Sequence, residues 1–176
     1  GSRIFYVSTN QAVDGRIDST DTDVYSIPYA DRQGGTATPL TGAAEGGFAE
    51  YYPALSGDDQ LVAFNRVPNG VSVYNSPVAE VFVVPESGDT ATRLLANDPP
   101  SCTHWPGPGP SNTWPKWSPE VQTVGGIAYY WLVFASTRNL SYRPQLHMTG
   151  VSVAKSSGDI RMHGAVQIWI QPEKES

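Results

Sequence analysis

Two stretches of this chain repeat one another, and that constrains the fold more than any other feature. Tyr52-Pro53-Ala54-Leu55-Ser56-Gly57-Asp58 and Trp114-Pro115-Lys116-Trp117-Ser118-Pro119-Glu120 both read aromatic, Pro, any residue, large apolar, Ser, Pro or Gly, acid. Each is followed by an apolar run ending in arginine, Leu61 to Arg66 in one case and Tyr130 to Arg138 in the other. A second apolar strand then follows each run, Ala79 to Pro85 and Gln145 to Val151. The chain start supplies part of a third copy. Ile4 to Asn10 resembles the run that ends in Ser136-Thr137-Arg138, and Thr22 to Pro28 resembles the strand that ends at Pro85. Phe64 lies 58 residues after Tyr6, and Phe134 lies 70 after Phe64. Self-similar units of several strands cannot each bury both faces alone, so they stack as a solenoid or a propeller.

Composition agrees with short strands between turns. Nine Tyr, five Trp and five Phe stand among 17 Gly and 15 Pro in 176 residues, a mixture that favours pleated strands and tight turns over helices. Strand, turn, short strand recurs three times. It runs from Val24 through Gln33-Gly34-Gly35-Thr36 to Thr38-Pro39-Leu40-Thr41, from Val81 through Ser87-Gly88-Asp89 to Leu95, and from His147 through Ser156-Ser157-Gly158-Asp159. Val166 to Ile170 reads as a closing strand. The reading is one all-β unit of four-stranded antiparallel blades, about three in number: 3–48, 49–98 and 111–162, with a closing strand at 165–171 and a Pro/Gly-rich loop at 97–111. The first blade is incomplete. Propellers close with four or more blades, so closure requires a second copy forming a homodimer, further chain, or an open arc. The opening Gly1-Ser2 is read as a tag remnant, and the start in mid-repeat as the mark of a fragment.

The net charge of -6 and scattered Lys and Arg exclude a basic, phosphate-binding face, hence a nucleic-acid partner. No run of 18 apolar residues is present to span a membrane as a helix. The single Cys102 has no internal disulfide partner and leaves the compartment open.

Several residues are candidates for a site. Asp14, Asp18, Asp21 and Asp23 form a loose acid series in a polar loop, and Asp18, Asp21 and Asp23 have the oxygen-donor chemistry for Ca2+. The series lacks the glycine and terminal glutamate of an EF-hand, and a solvated acidic loop is the alternative. Cys102, His104 and Trp105 fall in the Pro/Gly-rich loop, where His104 and Trp105 are candidate ligand contacts. Glu50, Tyr51 and Asn112 stand before the innermost strands and are read as free to meet a ligand. Tyr52, Trp114 and Trp117 are read as packing between blades. A serine peptidase would need Gly-x-Ser-x-Gly; Gly70-Val71-Ser72-Val73-Tyr74 and Gly150-Val151-Ser152-Val153-Ala154 both lack its last glycine.

The repeats resemble those of TolB-like β-propellers. In that family a Pro-x-Trp-Ser-Pro-Asp-Gly turn joins the first two strands of a blade, an Asp-Ile-Tyr segment forms the third, and an Arg-Leu-Thr segment the fourth. Lys116-Trp117-Ser118-Pro119-Glu120, Asp23-Val24-Tyr25 and Thr92-Arg93-Leu94 are similar to these, and the match covers most of the chain. Gly57 in place of the turn proline, and the insert from Val121 to Gly126, depart from the pattern. The resemblance implies a periplasmic or secreted protein, or a surface lipoprotein in a longer form. It implies binding of a protein, peptide or glycan through blade-end loops, with a hydrolase's propeller or a structural part of an assembly as alternatives.

Overall fold

The computed structural model describes residues 2–9, 20–74, 76–98, 111–138 and 144–169. Among them the regular structure is antiparallel sheet, with one 3-10 turn at Leu95–Asn97 and no α-helix. Among the described residues no helix is long and apolar enough to cross a membrane.

Three sheets follow one another along the chain. The first is built from β1 (Arg3–Thr9), β2 (Thr22–Ala30), β3 (Gln33–Gly34) and β4 (Thr38–Pro39). β1 pairs β2, while β3 and β4 pair successive parts of the other edge of β2. The second sheet runs β5 (Phe48–Leu55), β6 (Leu61–Pro68), β7 (Glu80–Pro85) and β8 (Thr92–Arg93) in chain order. The third contains β9 (Asn112–Trp117), β10 (Gln122–Val124), β11 (Ile127–Ser136), β12 (Gln145–Ala154), β13 (Ile160–Met162) and β14 (Val166–Trp169). It also has four positions, because β9 and β10 share one edge of β11, and β13 and β14 share the far edge of β12. The insert from Val121 to Gly126 is therefore a hairpin arm that lengthens the first position. Val166–Trp169, read as a strand closing the molecule, belongs to the third sheet, where it continues the outer position begun by β13.

The repeat seen in the sequence is a repeat in space. Phe64 of β6 faces Phe82 of β7 across the strands, with ring centroids 5.9 Å apart. Phe134 of β11 faces His147 of β12 at 5.7 Å, and Tyr6 of β1 faces Tyr25 of β2 at 6.1 Å. Directly opposed rings are among the stronger cross-strand pairs, and here one pair recurs at one register in all three sheets. Each of the two complete repeats also sets its terminal arginine on the ring, Arg66 at 5.6 Å from Phe64 and Arg138 at 5.2 Å from Phe134. β1 and β2 thus occupy the second and third positions of a sheet whose first position is empty among the described residues.

The middle sheet carries the core on both sides. Side chains alternate along a strand. Leu61, Ala63, Val81 and Val83 accordingly point toward the third sheet, against Tyr130, Leu132 and Phe134. Val62, Phe64, Phe82 and Val84 point toward the first, against Val24 and Leu40. A strand buried on both faces needs an unbroken apolar run, which is why 61–64 and 81–84 show no polar alternation.

Between the second and third sheets the two turn motifs touch. The Ser56 hydroxyl accepts from the backbone N–H groups of Gln60 and Leu61 at 3.1 and 3.0 Å, and donates to Asp58 at 2.8 Å. Tyr130 donates its hydroxyl proton to the other oxygen of Asp58 at 2.9 Å, and the Trp117 indole N–H donates to the Ala54 carbonyl at 2.9 Å. Trp117 thus packs between sheets as expected. Gly57 departs from the repeat for a steric reason: a Cβ there would stand 2.0 Å from the carbonyl oxygen of Pro119, its counterpart in the next motif. Gly57→Ala forces the two turns apart, and the expected loss is about 1–3 kcal/mol, read from urea unfolding. Gly46→Ala, where a Cβ meets nothing within 4 Å, serves as the control with little change.

Candidate functional site

The first strands of the second and third sheets, β5 and β9, each carry an aromatic-Pro pair, and proline has no N–H to give a ladder. The pairing accordingly breaks at the same place in both. Tyr51 pairs Asn65 and Ala54 pairs Ala63, leaving Tyr52-Pro53 bulged opposite Phe64. Thr113 pairs Ala135 and Lys116 pairs Val133, leaving Trp114-Pro115 bulged opposite Phe134. The bulge turns the aromatic backbone left-handed, with φ of 53° at Tyr52 and 57° at Trp114. Such a conformation costs an ordinary side chain on the order of 1–3 kcal/mol, and these residues gather where a structure has a task.

The outcome is an apolar cleft of about 620 Å³. Tyr52, Pro53 and Trp114 line it together with Phe5, Tyr6 and Val7 of β1, Val133, Phe134 and Ala135 of β11, and Leu146 of β12. Lys116 is the charged side chain in this lining. The Tyr52 and Trp114 rings meet edge to face at 5.9 Å, and Trp114 keeps 55% of its surface exposed. A large, half-open apolar hollow with few polar groups has the general form of a ligand site.

Behind the cleft a buried amide network holds Trp114 in place. Asn65 Oδ1 accepts the Trp114 backbone N–H at 3.0 Å, and its Nδ2 donates to the carbonyls of Asn112 at 2.7 Å and Glu80 at 3.1 Å. Asn112 donates to Asn97 Oδ1 at 3.2 Å, and Asn97 closes on both backbone groups of Val81 at 2.8 Å. Arg138 donates to Asn112 Oδ1 at 2.7 Å and to the Ala96 carbonyl at 2.5 Å. Burial lowers the Arg138 pKa to about 10. Three asparagines with no short-range relation in sequence thus join the second and third sheets. Only the recurrence of arginine after the apolar run hinted at this arrangement.

The structure divides the candidates differently. Glu50, Tyr51 and Asn112, read as free to meet a ligand, are 0%, 2% and 0% exposed, because they lie inside β5 and β9 rather than in loops before them. Trp114, read as packing, looks into the cleft. Glu50 accepts from Arg66 Nε at 3.0 Å. Arg66 also donates to the Gly42 carbonyl at 2.8 Å and lies over Phe82 and Phe48 at 4.5 and 4.8 Å. Among the described residues the second Glu50 oxygen and the Tyr51 hydroxyl are buried with no hydrogen-bond partner. Among the acids, Asp21 and Asp23 are described and Asp18 is not. Burial, then the charge of Asp21, raises the Asp23 pKa, and no metal-sized group of His, Cys, Asp or Glu forms among the described residues. Cys102, His104 and Trp105 lie outside the described residues.

No family model matches the chain, and no curated protein does. Among solved structures, a chain from Agrobacterium tumefaciens that carries the provisional name TolB is similar, with a TM-score of 0.45 and 17% identity. The alignment covers 95% of this chain and 47% of that one, so the chain spans about half the length of this neighbour.

Burial, opposed by Arg66, raises the Glu50 pKa to about 7 from an ordinary 4.5. Between these values the folded state keeps a proton that the unfolded chain has released. The stabilisation from protonated Glu50 is therefore complete below pH 4.5 and is lost as pH rises through 7. The wild type should lose up to about 3 kcal/mol across this window, and Glu50→Gln, which cannot ionise, should lack that slope in urea titrations at stepped pH.

Proposed function

We propose that this chain is a portion of a TolB-like β-propeller, from a bacterial secreted or periplasmic protein, that acts by binding. Its ligand is an extended peptide or a segment of a protein, held in the cleft between β1, β5 and β9. The single observation that carries this reading is the pair of left-handed aromatic residues, Tyr52 and Trp114, that repeat at one bulge and both line the cleft. Strain retained twice at equivalent positions, and directed at an open apolar hollow, is better explained by a ligand than by packing.

Within the three ligand classes that the sequence leaves open, the lining favours peptide over glycan. A sugar can stack a C–H face on an aromatic ring, but the hydroxyls around its edge need several polar side chains to meet them. Among the described residues of the lining, polar groups are few, the Lys116 ammonium and the polar tips of Tyr6, Tyr52 and Trp114, whereas apolar peptide side chains need only surface to cover. The blade arrangement supports the propeller part of the reading through the repeated ring pair. The compartment rests on the resemblance of the repeats. Residues 3–48, 49–98 and 111–162, the last extended by β14, are then successive blades of one unit.

The test is a screen of extended peptides rich in aromatic-Pro pairs, followed by dissociation constants for the best binder. Trp114→Ala should weaken that binding at least tenfold. Tyr74→Ala, which removes an equally exposed aromatic away from the cleft, should leave it unchanged. Equal loss in both variants, or none in Trp114→Ala, overturns the reading.

A further inference from the structure

We propose that the ligand's path continues from the cleft across the outer face of the third sheet, where the occupant is an acidic, extended segment of a partner protein. Its apolar side chains cover the middle of that face, and its carboxylates meet Lys116 at one margin and Arg161 at the other. This rests on the binding reading above and deepens it, since it adds the ligand's charge and the spacing of its acids.

The outward side of the sheet follows from its register. Ala128, Tyr130, Leu132 and Phe134 of β11 face the second sheet, so Tyr129, Trp131, Val133 and Ala135 face away. Cross-strand partners carry this face over the sheet. Val133 stands opposite Lys116 of β9 and Met148 of β12, and Met148 stands opposite Val166 of β14. Trp131 stands opposite Gly150, and Tyr129 opposite Ser152, whose other neighbour is Arg161 of β13.

The face is hollowed and open. A hollow of about 480 Å³ adjoins the cleft, with Lys116 and Val133 in the lining of both. A further hollow of about 440 Å³ shares Trp131 and Met148 with it. Gly150 lines this last hollow, and a Cβ there would stand 3.3 Å from the His163 ring and 3.4 Å from the Trp131 ring. The missing side chain thus leaves a trough between two rings. The path is continuous from Trp114 to Val166, and it is uncovered, with Trp131 43%, Leu146 40% and Val166 57% exposed.

Charge decides what covers it. The chain carries a net charge of -6, yet the described outward positions of β9 to β14 hold no carboxylate. Their charged residues are Lys116 in the first strand position and Arg161 in the last, both exposed. The described acids nearest to them in sequence, Glu120 and Asp159, lie outside the strands, and Asp159 accepts from the Ser157 hydroxyl at 2.7 Å. The middle sheet shows what an apolar cover requires, since 61–64 and 81–84 carry no charge on either side. An apolar sheet, or the same face of a second copy, would bury two cations here without a counter-charge, which is costly. An occupant that brings acids pairs them at the rim and covers the apolar middle, the anatomy of a protein interface.

The register also fixes a distance. Lys116 and Arg161 are three strand spacings apart across the sheet and four residues apart along it, hence roughly 20 Å. An extended chain covers that in about six residues.

The probes are three fluorescein-labelled peptides that share the core Val-Trp-Pro-Tyr-Val and carry Glu, Gln or Lys at both ends, with dissociation constants from anisotropy at low salt. The Glu-flanked peptide should bind about tenfold tighter than the Gln-flanked one, and the Lys-flanked one most weakly. Raising NaCl to about 0.3 M should shrink these differences. Lys116→Gln and Arg161→Gln should each cost the Glu-flanked peptide about threefold and leave the Gln-flanked one unchanged. Arg32→Gln, in the exposed turn between β2 and β3, should leave both unchanged. Trp131→Ala should weaken both at least tenfold.

Equal binding of Glu- and Gln-flanked peptides, or Glu-flanked binding indifferent to both basic variants, overturns the acidic partner and leaves the cleft reading standing where Trp114→Ala still weakens binding. Binding that falls in Trp114→Ala but not in Trp131→Ala confines the ligand to the cleft and overturns the path. No binding of any peptide up to millimolar concentration overturns both readings. A dimer by light scattering that Trp131→Ala converts to monomer also overturns the proposal, because a second copy then covers the face. Should Trp131→Ala fail to fold, Arg161→Gln at the far margin decides the path in its place.

Discussion

The structure depends on a sheet that has no outer face. Strands β6 and β7 send alternate side chains in opposite directions, and both directions are core: Ala63 and Val83 against the third sheet, Phe64 and Phe82 against the first. A two-sided sheet cannot be satisfied by one partner. The flanking sheets, which alternate buried with less buried residues as β11 does, are the covers that this requirement imposes. Stacking by repeats follows from the same need, since each unit supplies a face its neighbour lacks.

Packing alone would not produce the cleft. Its walls come from two local conflicts, at Tyr52-Pro53 and Trp114-Pro115, where a residue without an N–H sits inside a ladder. The chain resolves each by bulging, and the aromatic residue takes the backbone strain. That strain persists because long-range hydrogen bonds hold the neighbourhood. Asn65 on one sheet accepts the N–H of Trp114 on the next, and Arg138 and Asn97 pin Asn112 from behind. Buried amides joined in this way fix one geometry, because any other leaves several of them unpaired at once.

How much of this the sequence disclosed follows from the range of each interaction. The motifs at 52–58 and 114–120 are local, so their turns and the runs after them were legible, and so was the alignment of Tyr6 with Phe64 and Phe134. The surroundings of Tyr51 and Tyr52 were not. In a regular strand those neighbours take opposite faces, but the bulge brings their rings edge to face at 4.9 Å, with Tyr51 in the core and Tyr52 at the cleft, and a bulge depends on the partner strand. Asn65, Asn97 and Asn112 were invisible as a group, since nothing in three scattered asparagines says that they will meet. Gly57 stood out as a departure from the motif, and the cause lay 62 residues away in Pro119.

That last contact has a direction. At the junction of the second and third sheets one turn yields space and the other occupies it, so the two repeats dock as socket and plug, not as like on like. A copy of the second unit moved into the third unit's place would bring a socket where a plug belongs, and the reverse exchange would set two prolines against each other. Units that descend from duplication are in this way locked into a fixed order. Lengthening or shortening such an array requires editing its joints as well as its members.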